Sequence, residues 1–341
     1  MTKSLETQYV LRKCTRDKDE KKEFFGSEKM HKCKLQEDFY GQSCPKAEQI
    51  VADQVAQVAK TNPDAIAALI RLQFHDCFVG GCDASILLDE MPTGDAVEKS
   101  SMFNGELLKG ADIIDDIKAK LEQECPGIVS CADILAFAAS ESLVLGGLPA
   151  HQPKLGGRRD GLVSIASNAE SNLPLPTWSM DQMLQLFNRK GFNEEDFVVL
   201  LGAHSIGAAH CSVFSDRLYN YEQSGKSDPA LTQEVIKELK QKCKIPGTPE
   251  ARENPRVNFD ETPTIVDNIF FRNLVERKKA LLASDQLLIV DNRTALIVEK
   301  MARDPNLFPR KFVVAMMRLA SLGVLTMNEG EVRTTCRATN N

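Results

Sequence analysis

The stretch Arg71-Leu-Gln-Phe-His75-Asp76-Cys77-Phe-Val-Gly-Gly-Cys82-Asp83-Ala-Ser85 decides how the rest of this sequence is read. Arg71 and His75 are four residues apart, so on a helix they project from one face. Leu69, Leu72 and Phe74 beside them are apolar, which points to a dry pocket around the pair. An Arg/His pair at this spacing is common on ordinary surface helices, so alone it is a weak signal. The next ten residues change the odds. Asp76, Asp83 and Ser85 bring oxygen donors, and Val79 and Gly81 offer backbone carbonyls. A short loop of carboxylates, hydroxyl and carbonyls suits a hard cation such as calcium, although the spacing is not that of an EF-hand. A Cys77–Cys82 bridge would close this loop, whereas a plain charged turn leaves the bracketing cysteines unexplained.

Outward from this segment, helical periodicity dominates. Apolar residues at Ile50, Val51, Val55 and Val58 predict a helix over 46–60, and a second covers 64–78. Further helices are expected at 111–122, 131–144, 180–190, 194–204, 231–242, 268–276, 293–302 and 308–321. Strand-like alternation is scarce. Gly and Pro punctuate 145–157, 172–176, 245–255 and 261–264. Residues 1–37, with the charged run from Arg16 to Lys22, read as an irregular extension without the apolar stretch of a signal peptide. The remainder, 38–341, reads as one all-α domain.

The 341 residues carry a net charge of −6, which argues against nucleic acid or an anionic membrane as the main partner. No apolar run reaches the about 18 residues a membrane span requires. The ten cysteines are dispersed and even in number, fitting an oxidising compartment better than a zinc module. Spacing does not choose among their possible pairings.

The segment 71–85 closely resembles the distal helix and loop of plant-type class III haem peroxidases. Phe39-Tyr-Gly-Gln-Ser-Cys44-Pro45, Ile128-Val-Ser-Cys131-Ala-Asp133, Leu200-Leu-Gly-Ala-His204-Ser205, Thr262-Pro-Thr-Ile-Val-Asp267-Asn268 and Ser284-Asp285-Gln286 come in that family's order. The similarity runs from about Asp38 to Arg337. It implies the plant-type peroxidase fold, mainly helical with very little β structure, haem b between distal and proximal helices, and two calcium ions. It also implies the disulfides Cys44–Cys125, Cys77–Cys82, Cys131–Cys336 and Cys211–Cys243, leaving Cys14 and Cys33 in the extension.

By the same resemblance, Arg71 and His75 cleave hydrogen peroxide, Asn104 accepts the second N–H of His75, and His204 is the iron ligand, backed by Asp285. Phe74 and Phe259 would line the cofactor. The related intracellular peroxidases carry Trp where Phe259 stands, and the only Trp here is Trp178. Asp76, Val79, Gly81, Asp83, Ser85 and, through water, Glu98 would hold the distal calcium. Ser205, Asp260, Thr262, Ile265 and Asp267 would hold the proximal one, although one residue rather than two separates Asp260 from Thr262. Pro174 would orient a phenolic donor with its carbonyl. The implied activity is reduction of hydrogen peroxide with one-electron oxidation of two phenols. The alternative is a haem-binding relative with little turnover that acts in binding or signalling. A secreted monomer in the cell wall or vacuole is expected, with Asn292-Arg293-Thr294 as a glycosylation acceptor. Gly105-Glu106-Leu107, Lys109-Gly110 and the paired Gly156-Gly157 depart from the family pattern and mark a divergent member.

Overall fold

The apolar period that runs from Ala47 toward Val79 is broken once, at Asn62-Pro63, because proline lacks the amide N–H that a continuing helix needs. A computed structural model of the chain describes residues 35–105, 108–150 and 153–340. They divide into two compact units where the sequence reads as one domain: one comprises the described residues to Leu145 with Pro149–Leu173 and Met316 onward, the other Gly146–Leu148 and Pro174–Ala315.

In the first unit, α1 (Ala47–Thr61) packs on α2 (Asp64–Val79) and on α3 (Ala111–Glu124), and all three pack on α4 (Cys131–Leu145). From Cys131 to Ala139 every residue of α4 is buried, as a central helix surrounded by others must be. Val51, Val55, Leu69, Leu72, Ile114, Ile117, Leu121 and Leu135 form the core around it. A buried carboxylate, Asp160, accepts the N–H groups of Cys131 at 3.1 Å and Ala132 at 2.8 Å, answering the positive end of α4. Asp133 binds Arg158 at 2.7 Å and the Tyr40 hydroxyl at 2.7 Å. Helix α2 stops at Gly80-Gly81. A side chain at Gly81, where φ is +135°, would collide with the Gly323 carbonyl.

The packed chain begins earlier than residue 38. Leu35 is buried, and β1 (Gln36–Glu37) pairs antiparallel with β2 (Leu155–Gly156). The rest of the expected extension, with Cys14 and Cys33, lies outside the described residues. A short helix, α5 (Ala166–Asn172), is unannounced in the sequence because Ala-Ser-Asn-Ala-Glu-Ser-Asn has no apolar period.

The second unit holds α6 (Met180–Arg189), α7 (Glu194–Leu201), β3 (Ala208–His210), α8 (Cys211–Tyr219), α9 (Gln233–Lys242), β4 (Arg256–Asn258), α10 (Ile269–Arg272), α11 (Ala283–Val290) and α12 (Ala295–Arg303). The last helix, α13 (Leu307–Leu319), begins there. Capping boxes at Ser179/Gln182 and Asn193/Asp196 start α6 and α7. Strand β3 pairs antiparallel with β4. The helix expected over 194–204 ends at Leu201 and tightens into a 3₁₀ turn, Gly202–Ser205. Only glycine fits at 202, because the rings of Phe271 and Phe308 press on it. The helix expected over 268–276 is four α-helical residues followed by a π-helical turn, Asn273–Arg277. Helices α8 and α11 lie outside the expected set; the last four residues of α11, Leu287 to Val290, are all apolar and hide the helical period.

All four expected disulfides are formed. Cys131–Cys336 spans 205 residues and constrains the unfolded chain most, by about 5 kcal/mol in the loop-entropy view. Among the described residues no helix is long and apolar enough to cross a membrane.

Candidate active site

On α2, Ala67, Ala68, Arg71, Phe74 and His75 keep some accessible surface while Ala65, Ile66, Leu69, Ile70, Leu72, Gln73 and Asp76 are buried. With the exposed Asp64 these five form one stripe at helical spacing, so Arg71, Phe74 and His75 share a partly accessible face. His75 Nδ1 lies 2.6 Å from Asn104 Oδ1. Asn104 is 1% exposed, and its Nδ2 donates to the Glu98 carbonyl at 2.7 Å. That second bond fixes which way the amide points. Its oxygen must therefore accept from Nδ1–H, which leaves the lone pair of His75 on Nε2. Burial, and then the Arg71 cation, holds His75 well below the ordinary histidine range. It is a neutral base at pH 7. Burial also brings Arg71 down to about 10, so it remains a cation there.

The loop after α2 gathers acid. Asp76 accepts the Ala84 N–H at 3.0 Å, Asp83 the Ser85 N–H at 3.0 Å, and Glu98 the Ser85 hydroxyl at 3.1 Å. Burial raises all three carboxyls. Mutual repulsion with Asp83 adds to this for Asp76 and for Glu98, which reaches about 8. Glu98 Oε2 is buried with no protein donor. The Gly81 carbonyl accepts the Asp83 N–H at 2.9 Å, and the Cys77–Cys82 bridge closes the loop. Among the described residues no three His, Cys, Asp or Glu side chains converge as a complete metal cage. A cation here would depend on carbonyl and hydroxyl oxygens as well, as calcium does. No motif or spacing singles out Arg333. Fully buried, it donates to the carbonyls of Asp83, Ala84 and Gly161 and anchors the same loop.

In the other unit His204 stands on the 3₁₀ turn after α7. Its Nδ1 lies 2.8 Å from Asp285 Oδ1, in the first turn of α11. Asp285 is fully buried, whereas the His204 side chain is 31% exposed. The ring stacks on Phe259 with centroids 4.4 Å apart and 13° between planes. Phe270 meets it edge-on at 6.3 Å, a contact with no local signal in the sequence. Nδ1 is thus committed to a carboxylate, and Nε2 is the ring atom that could meet a metal.

Beside this histidine, Ser205 Oγ and Asp260 Oδ2 are buried without protein partners. Asp260 Oδ1 accepts both the N–H and the hydroxyl of Thr262, at 2.8 and 3.2 Å. Burial, then repulsion from Asp267, moves Asp260 up to about 7. Asp267 Oδ1 accepts the Ile269 N–H at 2.9 Å, and Ile265 is 42% exposed. Pro174 is half-buried on a loop whose Pro176 carbonyl accepts the Ser284 N–H at 3.0 Å.

A family model for the peroxidases matches residues 51–304. Peroxidase 5 of Vitis vinifera is 42% identical over 310 residues, covering 90% of this chain and 92% of that protein. Peroxidase N of Armoracia rusticana is 43% identical over 314 residues, covering 91% and 92%. Peroxidase 28 of Arabidopsis thaliana is 41% identical over 302 residues, covering 89% and 92%. Similarity at this level along nearly the full length of each sequence leaves one family: this chain belongs to the peroxidases and is a peroxidase.

Proposed function

We propose that the chain is a haem-dependent peroxidase in which His204 ligates the iron and Arg71 and His75 cleave hydrogen peroxide. The observation that carries this reading is the pair of oriented histidines, each with Nδ1 bound to a buried oxygen and Nε2 left for chemistry. A haem fits these residues: an accessible imidazole with a carboxylate behind it on one segment, and an accessible Arg/Phe/His stripe on another. When bound, the haem would supply electrons to the peroxide and recover them singly from two donors.

The chain's own groups manage the protons and charge. His75 Nε2 takes a proton from one peroxide oxygen and returns it to the other as the O–O bond breaks. The Arg71 cation stabilises the negative charge that develops on the departing oxygen. Asn104 holds the tautomer that leaves Nε2 basic. Asp285 keeps His204 oriented and rich in electron density.

Phenols are the donor class, with Pro174 as the residue that orients them. Two calcium ions complete the reading. Asp76, Asp83 and Glu98, with Val79, Gly81 and Ser85, would hold one; the repulsion among buried carboxyls supports a cation there. Ser205, Asp260, Thr262, Ile265 and Asp267 would hold the other, supported by the unpartnered Ser205 Oγ and Asp260 Oδ2. Four disulfides favour an oxidising, secretory location.

Reconstitution with haemin tests the function. A ferric haem spectrum, with oxidation of a simple phenol on addition of hydrogen peroxide, is the expected result. Haem uptake without phenol oxidation would refute it.

A further inference from the structure

The chain has ten methionines. Among the described residues Met180, Met183, Met301 and Met316 are at most 5% exposed, and the sulfur of Met91 accepts the Ser164 N–H at 3.3 Å. Met102 stands apart. It is 82% exposed, more than any other exposed large apolar side chain among the described residues. It sits at the tip of a turn in which the N–H groups of Asn104 and Gly105 both donate to the Ser101 carbonyl, at 3.0 and 2.8 Å. The inner end of the turn is Asn104, bound to His75. Packing does not explain Met102, since burying an apolar side chain is what gives it value in a core.

A thioether in water is a target for peroxide, and susceptibility follows exposure. We propose that Met102 is an oxidation site at which this peroxidase takes up one oxygen atom from its own substrate. The proposal rests on the peroxidase reading only for the presence of hydrogen peroxide at this surface. The sulfur lone pair attacks one peroxide oxygen, the S–O bond forms and the O–O bond breaks. Hydroxide leaves and, with the proton released, becomes water. Sulfur is oxidised by two electrons and peroxide is reduced by two. The sulfoxide forms in solvent, so it opens no cavity and displaces no core contact. Asn104 keeps both of its buried hydrogen bonds, to His75 and to the Glu98 carbonyl. Met102 therefore acts as a sacrificial thioether beside the machinery. Met327, 59% exposed in a left-handed backbone conformation (φ 59°), is the next in line.

The experiment exposes the haem-loaded protein to graded hydrogen peroxide and maps methionine oxygen uptake by peptide mass spectrometry, with phenol turnover and melting temperature measured alongside. Met102 should gain one oxygen first, Met327 later, and the four buried methionines last, with turnover unchanged when Met102 is fully converted. Methionine sulfoxide reductase should reverse the adduct. Met102→Leu should lack it and retain wild-type turnover and melting temperature. If Met102 stays reduced while Met327 or a buried methionine is converted, or if its conversion alone lowers turnover, the proposal fails. Absence of phenol turnover at the outset would count against the peroxidase reading instead, and the order of methionine oxidation would still be scored.

Discussion

The segment around His75 and the segment around His204 use the same device with different partners. In each, a buried oxygen holds Nδ1 of the ring: an amide oxygen at 2.6 Å for His75, a carboxylate oxygen at 2.8 Å for His204. The amide fixes the tautomer and adds no charge, so burial and Arg71 still keep His75 neutral. The carboxylate fixes the tautomer and also pushes electron density into the ring, which suits a metal ligand. In the proposed mechanism the difference separates a base that must release its proton from a ligand that must stay bound.

Removing the proposed iron ligand should have the largest effect. His204→Ala should no longer retain haem, read as loss of the Soret band after gel filtration; retention would place the iron on another residue. Next in size is the calcium proposed for the loop after α2. Stripping calcium with a chelator should lower the melting temperature, and re-adding it at a thousandfold excess over its dissociation constant should restore about 4 kcal/mol. No response to calcium would mean that the buried carboxyls are neutralised by protons alone.

The two partner exchanges act directly on the comparison. Asp285→Asn keeps the tautomer but removes the charge, and should weaken iron binding or activity about 10–100-fold. Asn104→Asp does the reverse, placing a negative charge on His75 and raising its pKa. Peroxide cleavage needs the neutral ring, so the wild-type protein should hold its rate as pH falls through the ordinary histidine range. The variant should lose rate on acidification at a higher pH than the wild type does. Coincident pH–rate profiles would show that Asn104 does not act through His75.

The His75 half is legible because its parts are local. Arg71 and His75 lie one helical turn apart, and the acidic loop comes at once, closed by its own cysteines. The His204 half has no such signature. Its histidine and carboxylate are 81 positions apart, and in the sequence only the ordered family motifs join them. Phe270 and Arg333 act through tertiary contacts that no spacing announces. The opening of the chain is misread for a similar reason: Gln36–Glu37 look irregular alone and become a strand only against Leu155–Gly156. Helix α11, which carries Asp285, is hidden because its apolar run masks the period, although the motif around Asp285 is readable.

The division of labour between the two histidines is tested most directly by His75→Ala reconstituted with haemin, followed by absorbance and by rapid mixing with hydrogen peroxide. The haem should remain bound with a ferric spectrum, and peroxide cleavage should slow by about 10²–10⁴-fold, the usual contribution of a positioned acid–base group. Loss of haem from this variant, or cleavage at the wild-type rate, would contradict the assignment of His75 as the proton carrier and His204 as the ligand.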